Sequence, residues 1–446
     1  MRNKRERWSS NFGFLMAAAG SAIGLGNIWK FPYLAGSNGG AVFLIFYFII
    51  ILFIGAPILL AEMSVGRATH LNSIDACRKI NPNWGFVGLI GFWASFFIMS
   101  YYCVIGGWVT KYIFKYVISE RISEPAEYFT NFSSSSVEPI IWLFVFLAVT
   151  ALIVTKGISK GIELASKIFL PLLFVLIIII AIYSLSLPGS SQGLKFFFVP
   201  DYSKINSAGD LGTIFLNAMG QVFFSLSLGM GTLITYGSYV DRSTNLTKNA
   251  LYIPILDSLF AILAGVAILP AVFAYNLKPD VGPGLLFQVM PIVFSNMQYG
   301  KIIGIMFFVL VFFAAITSSI SLLEVITSYL IDSKKMKRSK AALLASFFIF
   351  VLGSFVSLSF GALGKYKIAD MNLFDFLTSL TDKILMPIGG FLMCILVGYV
   401  WGIPKLTAEI SSNGMYKVKI ARILGFILKF LAPAMILLIF ISSIIK

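Results

Sequence analysis

The most informative stretch of this sequence is residues 17–32, which read AAAGSAIGLGNIWKFP. It starts as an apolar helix, but glycines at positions 20, 24 and 26 weaken a helix at this point, and Asn27 adds a polar amide. Residues 220–232, GQVFFSLSLGMGT, place a Gly-x-Gly sequence inside another apolar run. The sequence therefore predicts two helices that break partway along their length.

The composition around these stretches is that of a membrane protein. The 446 residues are 58% hydrophobic and 12% charged, and the mean hydropathy is +0.91. An apolar run of roughly 20 residues crosses a ~30 Å hydrocarbon layer as a helix. The apolar–polar alternation of a membrane β-barrel is absent, and only helices or closed barrels satisfy their backbone hydrogen bonds in lipid. We predict eleven helices, over residues 11–37, 40–66, 88–118, 139–155, 165–187, 211–240, 247–275, 299–331, 340–360, 383–402 and 420–445.

The net charge of +15 is spread over short segments between the apolar runs, which argues against nucleic-acid binding. Lys and Arg concentrate in the N-terminal arm and in alternate loops at residues 78–79, 156–160 and 334–338. Because cytoplasmic loops carry the excess of positive charge, these segments are predicted to be cytoplasmic. We therefore expect a multi-pass plasma-membrane protein with a cytoplasmic N-terminus and, after eleven helices, an extracytoplasmic C-terminus.

Neither covalent catalysis nor a resident metal is indicated. The three cysteines, Cys77, Cys103 and Cys394, are far apart and match no disulfide framework or metal-ligand spacing. The single histidine, His70, lies in a predicted cytoplasmic loop, and the apolar runs contain no Ser/His or Cys/His cluster. An enzyme is therefore the least favoured class, and no catalytic residue is predicted.

The two broken helices are the first and the sixth, so they correspond if helices 1–5 and 6–10 are two halves. Because five is odd, such halves are inverted in the membrane, and paired glycine-interrupted helices indicate a transporter binding site. An unwound turn frees carbonyl oxygens for Na⁺, and the N-terminus of a half-helix attracts a carboxylate. The alternative is that the glycines only allow close helix packing, since Gly20 and Gly24 have the small-xxx-small spacing.

Two further polar features lie within apolar helices. In the eighth helix, residues 317–321 place four hydroxyl groups within five residues, and hydroxyl oxygens suit a hard cation such as Na⁺. The alternative is that these hydroxyls bond to carbonyls one turn earlier in their own helix. In the seventh helix, Asp257 is a carboxylate within an apolar run, which is costly in a membrane and indicates a functional site.

These features resemble the neurotransmitter:sodium symporter family, and most closely its bacterial amino-acid transporters. The resemblance covers nearly the whole chain and rests on Arg5-x-x-Trp8, residues 20–32, Asn38-Gly39-Gly40, Glu62 with Gly66-Arg67, Tyr101-Tyr102 before Trp108, residues 221–231, Thr235-Tyr236-x-Ser238-Tyr239 and Thr317-Ser318-Ser319. It implies an all-α membrane protein of two inverted five-helix repeats with broken helices 1 and 6, plus an eleventh helix. The chain then divides into an N-terminal gate (1–10), a first repeat (11–187), an extracellular loop (188–210), a second, inverted repeat (211–402) and the eleventh helix with its loop (403–446).

The resemblance implies two sodium ions and one amino acid as ligands. The first ion is expected to contact the substrate carboxylate together with Ala22, Asn27, Ser225 and Asp257. The second is expected between the carbonyls of Gly20, Ile23 and Ala314 and the hydroxyls of Thr317 and Ser318. The substrate pocket is expected to comprise Ala22, Leu25, Gly26, Ile98, Tyr102, Phe224, Ser225, Ser227, Met230, Ser318 and Leu322.

Three departures from the family pattern bear on the ligands. Relatives that carry amines have an aspartate at the position of Gly24, so here the substrate is expected to bring its own carboxylate. Asp257 stands where many relatives have an uncharged residue, beside Tyr47 and Gln221, and its charge predicts chloride independence. Met230 is unbranched and adaptable, which favours a larger apolar or aromatic substrate. The alternative, of equal weight, is that Met230 only repacks a leucine-sized site.

Two gates also follow from the resemblance. On the inner side, Arg5 with Trp8 is expected to meet Asp332, steadied by Ser238 and Tyr239. On the outer side, Lys30 is expected to pair with Asp375. Lysine is a flexible point charge, and Asp382 is the alternative partner.

The sequence thus leads to two hypotheses. The first is Na⁺-coupled uptake of a hydrophobic or aromatic L-amino acid across the lipid bilayer by alternating access. The second is a Na⁺-sensitive amino-acid receptor that binds without transport.

Overall fold

The protein is described by a computed structural model that covers residues 6–118, 122–205, 207–279, 283–418 and 420–445. These residues form helices joined by loops, and within them an isolated β-bridge joins Ile368 and Met371. Numbered along the chain, the main helices are α1a (Asn11–Ala22), α1b (Gly26–Ser37), α2 (Ala41–Thr69), α3 (Pro82–Ile118), α4 (Glu138–Thr155), α5 (Ile158–Leu185), α6a (Ala208–Ser225), α6b (Thr232–Gly237), α7 (Leu246–Ala274), α8 (Gly300–Asp332), α9 (Arg338–Leu358), α10 (Leu373–Ile410) and α11 (Ala421–Leu438). The predicted all-α class is confirmed.

Within the described ranges, length and composition allow nine single helices to cross a membrane, and a tenth span if the bent pair α1a–α1b is counted as one. The other predicted span, helix 6, is present as α6a and α6b, separated by residues 226–231. The predicted start of helix 10 at residue 383 is wrong, because α10 begins at Leu373. Asn372 caps this start by accepting a hydrogen bond from the N–H of Asp375. Asp375 and Asp382 lower the hydropathy of the first turns of α10, so the apolar run used to predict this helix begins later.

Both helix breaks are present where the glycine pattern predicts them. α1a and α1b meet at an angle of 54°, and Ile23 between them adopts a non-helical ψ of 108°. In helix 6, positive φ angles at Ser227 (53°), Gly229 (75°) and Gly231 (73°) replace the helical turn. A positive φ is costly for a residue with a Cβ, so Ser227 marks a strained position. The glycines therefore do more than allow close helix packing.

Three neighbouring helices hold the irregular segment of helix 6. From α2, Glu62 Oε1 accepts a hydrogen bond from the N–H of Gly229 at 2.8 Å. From α3, Ser95 Oγ donates to the Met230 carbonyl at 2.7 Å. From α10, Gly389 allows direct backbone contact, since a Cβ there would lie 2.7 Å from the Gly229 oxygen. The break is therefore a fixed part of the packed core.

Helices α1–α5 and α6–α10 form two inverted five-helix halves, each of which begins with a broken helix. The two breaks lie side by side, and Ser227 Oγ from helix 6 donates to the Ser21 carbonyl of helix 1 at 3.2 Å. α8 packs along α3 and α5 and against α1a, and α11 packs against α10. This arrangement brings the unwound backbone of both halves to the centre of the protein.

Candidate functional site

A small cavity is enclosed by the breaks of helices 1 and 6 together with α3 and α8. Nine predicted substrate-binding residues line it, namely Ala22, Gly26, Ile98, Tyr102, Phe224, Ser227, Met230, Ser318 and Leu322. Three residues of the first broken stretch also line it, namely Ser21, Gly24 and Asn27. The other two predicted residues lie beside the cavity: the Leu25 N–H donates to the Tyr102 hydroxyl at 3.2 Å, and Ser225 bonds to Asp257.

Gly24 keeps the cavity open at the break of helix 1. A Cβ at this position would lie 2.8 Å from Ser318 Oγ and 3.0 Å from the Tyr102 hydroxyl. The first separation is shorter than an ordinary contact and the second is at its lower limit, so a side chain here would displace the Ser318 hydroxyl and press against that of Tyr102. An aspartate at this position, as the family resemblance implies for amine carriers, would therefore meet the Tyr102 and Ser318 hydroxyls.

The Asp257 carboxylate is fully buried and gathers hydrogen-bond donors from three other helices. Asn27 Nδ2 donates to Oδ1 at 2.7 Å, and Ser225 Oγ lies 2.9 Å from both carboxylate oxygens. The Tyr47 hydroxyl donates to Oδ2 at 3.1 Å. Three of the four protein ligands predicted for the first sodium thus touch one another, and Ala22 lines the adjoining cavity. A buried carboxylate of this kind favours a nearby cation.

The residues predicted for the second sodium also lie together, where α8 crosses the break of helix 1. Thr317 packs against Gly20, at which a Cβ would lie 3.2 Å from the Thr317 Cβ. Ser318 Oγ lies 3.3 Å from the Ile23 carbonyl, and Thr317 Oγ1 lies 3.2 Å from the Ala314 carbonyl. The contact offers carbonyl and hydroxyl oxygens, which are ligands that suit a hard cation.

The back-bonding alternative is correct for several hydroxyls of α8. Thr317 Oγ1 donates to the Phe313 carbonyl at 2.9 Å, and Ser319 and Ser321 bond in the same way to carbonyls three residues earlier. Ser321 also accepts a hydrogen bond from Ser21 Oγ at 2.7 Å, a link between α8 and helix 1 that sequence reasoning missed. A Thr or Ser that donates its hydrogen to a carbonyl keeps its oxygen lone pairs for a cation.

At the end that is predicted to face outside, Lys30 pairs with Asp382 rather than with Asp375. The Lys30 Nζ lies 3.2 Å from Asp382 Oδ2 and 5.0 Å from the centre of the Phe224 ring. The predicted partner Asp375 is wrong because it lies exposed in the first turn of α10. Asp382 lies seven residues farther along, about two turns, and therefore on the same face of the helix. Sequence alone left both residues open because they share that face.

In the N-terminal arm, Trp8 packs against helix 6. Its indole N–H donates to the Tyr236 carbonyl at 3.0 Å, and its ring packs edge-on against Tyr236 and Tyr239. The predicted contact of Arg5 lies outside the described residues. Asp332 accepts a hydrogen bond from the Asn72 N–H at 2.9 Å, a contact that was not predicted.

The two residues predicted to steady the inner gate also bond within and beside helix 6. Ser238 Oγ donates to the Thr235 carbonyl at 2.5 Å, and the Tyr239 hydroxyl donates to Glu324 at 2.6 Å. Glu324 in turn binds the Arg338 guanidinium at 2.8 Å. Sequence reasoning missed Glu324, although an acidic residue inside an apolar helix is the same signal that singled out Asp257.

Comparisons with known proteins agree with this geometry. The family model described as "Sodium:neurotransmitter symporter family" matches residues 5–122 and 118–446. An uncharacterized sodium-dependent transporter, YhdH of Bacillus subtilis, is 36% identical over 99% of this chain and 98% of its own length. An uncharacterized sodium-dependent transporter of Methanocaldococcus jannaschii, MJ1319, is 34% identical over 93% of this chain and 86% of its own.

A solved structure is similar over nearly the whole fold. The crystal structure of MhsT in complex with L-phenylalanine superposes with a TM-score of 0.90 at 41% sequence identity, covering 98% of this chain and 100% of MhsT. The paired helix breaks, the buried carboxylate between them and these matches lead to one conclusion. The chain belongs to the sodium:neurotransmitter symporter family and is a sodium-dependent membrane transporter, not an enzyme.

Proposed function

We propose that this protein couples Na⁺ entry to the uptake of a hydrophobic or aromatic L-amino acid by alternating access. The observation that carries the proposal is that the Tyr102 and Ser318 hydroxyls occupy the space where a side chain at position 24 would lie. The Tyr102 oxygen accepts the Leu25 N–H, so its own hydrogen can be donated to a substrate carboxylate. A pocket with donors at this end, and a cation beside it, suits a substrate that carries its own carboxylate.

Two sodium ions travel with the amino acid in this proposal. One is held at Asp257 with Asn27 and Ser225, where the substrate carboxylate completes the site. The other is held by the carbonyls of helix 1 and the hydroxyls of α8. A single break in helix 1 contributes to both sites, which links ion binding to substrate binding.

The rest of the pocket suits an apolar side chain. Its walls include Ile98, Phe224 and Leu322 from the helices around the breaks, and Met230 from the irregular segment of helix 6. The unbranched Met230 side chain can move aside for an aromatic ring. L-phenylalanine bound to MhsT supports an aromatic substrate here as well.

Chloride is not required in this proposal. Tyr47 and Ser225 direct their hydroxyls at the Asp257 carboxylate. An anion brought to the same donors would meet a fixed negative charge, whose repulsion is strong in a buried site. Asp257 therefore does the electrostatic work of a chloride ion.

The orientation follows from the charged loops. The N-terminal arm lies in the cytoplasm, and the Lys30–Asp382 pair faces outside, in the plasma membrane. Na⁺ and the amino acid enter past Lys30, the outer side closes, and release occurs when the contacts of the arm open.

Uptake into proteoliposomes tests the proposal. Radiolabelled tryptophan, tyrosine, leucine and alanine are offered with Na⁺, with K⁺ or choline in its place, and with gluconate in place of Cl⁻. We expect accumulation that needs Na⁺, ignores Cl⁻ and prefers the larger side chains. Na⁺-stimulated binding without accumulation would instead establish a receptor, and a requirement for Cl⁻ would contradict the role of Asp257.

A further inference from the structure

An open apolar groove runs between α4 and α9. The two helices pack side by side, and the groove between them has a volume of about 360 Å³. Its floor includes the small residues Ala151 and Ser346, which are 5% and 8% exposed. Its walls are large apolar side chains that are each more than half exposed, namely Phe144, Leu152, Leu343 and Phe347. Because both helices are long and apolar enough to span a membrane, this groove faces lipid rather than water.

The groove is about as long as one leaflet of a bilayer is thick. At one end the rings of Phe144 and Phe350 pack edge-on, with their centroids 5.8 Å apart. At the other end lies Thr155, the last residue of α4, eleven residues after Phe144. This separation corresponds to about 16 Å of helix, and half of a ~30 Å hydrocarbon layer is about 15 Å. Since the loop at residues 156–160 is proposed to be cytoplasmic, the groove matches an acyl chain of the cytoplasmic leaflet.

The cytoplasmic end of the groove is positively charged. The start of α9 adjoins the end of α4 there, since Arg338 Nη1 lies 3.4 Å from the Val154 carbonyl. Three exposed lysines flank this junction: Lys156 follows α4, and Lys337 and Lys340 stand at the start of α9. Lysines at the surface of a membrane attract the anionic headgroups of lipids. The groove therefore joins an apolar channel to a basic mouth.

Two acidic residues near this mouth are occupied by Arg338. Glu324 Oε2 lies 2.8 Å from its Nη1, and Glu6 Oε1 lies 2.9 Å from its Nε. Within the part of the chain that the structure describes, no side chain caps the start of α9. The N–H groups of its first turn and their partial positive charge therefore lie at the mouth as well. A phosphate group suits both the lysines and the helix start.

We propose that the groove between α4 and α9 binds one anionic phospholipid of the cytoplasmic leaflet. An acyl chain lies along the groove, and the phosphate lies at Lys156, Lys337 and Lys340. A zwitterionic phospholipid has the same chains but carries no net charge, so the lysines make the site selective for the anionic headgroup. The bound lipid touches one helix from each half of the fold. This inference rests on the orientation given in the proposed function and not on transport.

Photolabelling of the full-length protein in phosphatidylcholine vesicles tests the site without a transport assay. Phosphatidylglycerol and phosphatidylcholine are offered at equal concentration, each with the same diazirine on an acyl chain, and mass spectrometry identifies the labelled residues. We expect phosphatidylglycerol to label residues 144–155 and 343–350 at least about tenfold more than phosphatidylcholine, given about fivefold for each lysine near a membrane surface. Equal labelling by the two lipids would overturn the proposal, because the groove would then hold bulk lipid without selection.

Lys340→Gln tests the headgroup contact. Removal of one positive charge should lower the excess of phosphatidylglycerol label about fivefold. A triple variant, Lys156→Gln with Lys337→Gln and Lys340→Gln, should lose the excess entirely. Lys365→Gln is the matched control, since Lys365 is exposed beyond the other end of α9, and it should label like the wild type. An undiminished excess in the triple variant would contradict a headgroup site at the lysines.

Ala148→Phe tests the contact with the acyl chain. Ala148 lines the groove, so a phenyl ring there should take the space of the chain and lower labelling of the groove by both lipids. Val175→Phe is the control, because Val175 is 52% exposed on α5 and does not line the groove. Unchanged labelling in Ala148→Phe would show that the chain lies elsewhere. The exposed lysine variants keep the test valid if the larger side chain prevents folding.

Two further outcomes identify other occupants of the groove. Displacement of the label by an excess of soluble glycerol phosphate would show a site for free phosphate and overturn the lipid assignment. Cross-linking of two copies through the groove, with neither lipid labelling it, would assign the groove to a dimer and also overturn the proposal. If uptake fails while the selective label persists, the proposed function fails and the lipid site stands.

Discussion

The two regions proposed to bind Na⁺ differ in charge. Around Asp257, a buried carboxylate gathers hydrogen bonds from Asn27, Ser225 and Tyr47. Where α8 crosses helix 1, the available oxygens come from the neutral hydroxyls of Thr317 and Ser318 and from backbone carbonyls. One proposed ion is thus held by a single charged ligand and the other by several weaker dipoles. Loss of one group should therefore have unequal effects in the two regions.

The largest effect is expected from Asp257→Asn. The substitution keeps the shape of the side chain but removes the charge that compensates the cation, and the Na⁺ concentration for half-maximal uptake should rise about a hundredfold. Chloride should partly restore the affinity, because the Tyr47 and Ser225 hydroxyls are then free to bind an anion. The measurement is the Na⁺ dependence of uptake with and without Cl⁻. Unchanged Na⁺ dependence would mean that Asp257 binds no ion.

A smaller effect is expected from Tyr47→Phe on the charged side. The change removes one hydrogen bond to the Asp257 carboxylate. Because hydrogen bonds to charged groups are stronger than neutral ones, its loss should weaken Na⁺ binding about tenfold. Equilibrium binding of labelled substrate over a Na⁺ titration measures the change. If Tyr47→Phe is as severe as Asp257→Asn, the hydroxyl contacts the ion or the substrate directly.

Thr317→Val probes the neutral side with the shape preserved. Loss of one neutral oxygen ligand should weaken Na⁺ binding about fivefold, less than the loss of the Tyr47 hydroxyl. Ser319→Ala is the control. The Ser319 hydroxyl lies on another face of α8, where it bonds to the Ile316 carbonyl and to Thr150 of α4. A Na⁺ titration of both variants separates the predictions. Equal effects in the two would show that the hydroxyls of α8 act only through helix packing.

The smallest effect is expected from Lys30→Met at the outer pair. Lys30 is 35% exposed and Asp382 is 20% exposed, so water screens much of their attraction. Initial uptake should fall only about twofold, and the Na⁺ concentration for half-maximal uptake should stay unchanged. Kinetic assays in proteoliposomes check both values. A shift in Na⁺ dependence would connect the outer pair to the ion sites, which the comparison of buried regions does not predict.

The sequence predicted most of the centre of this protein because the signals there are local. The breaks follow from glycines within a few residues, and Asp257 stands out because it interrupts an apolar run. The family resemblance supplied the finer detail: nine of the pocket residues that it implies line the cavity, and the residues that it implies for each ion site lie together. Ser21, which sequence reasoning missed, lies in the same stretch but carries no distinctive signal.

The ends of the molecule were harder to predict because their contacts join distant segments. Asp375 and Asp382 share one helix face, and only the position of α1b relative to α10 selects Asp382. Asn72 at Asp332 and Glu163 at Ser9 join residues that are 260 and 154 positions apart. Nothing local distinguishes a capping carboxylate from a charge that faces water.

By itself, the sequence determined the membrane class, the two broken helices and the presence of a carboxylate inside an apolar helix. These follow from hydropathy and backbone preference, which act within a few residues of the chain. Only the tertiary structure decided which distant groups meet across the protein, from Lys30 with Asp382 to the Ser9 N–H with Glu163. The reason is that such pairs depend on the angle and register of packed helices, which no single segment specifies.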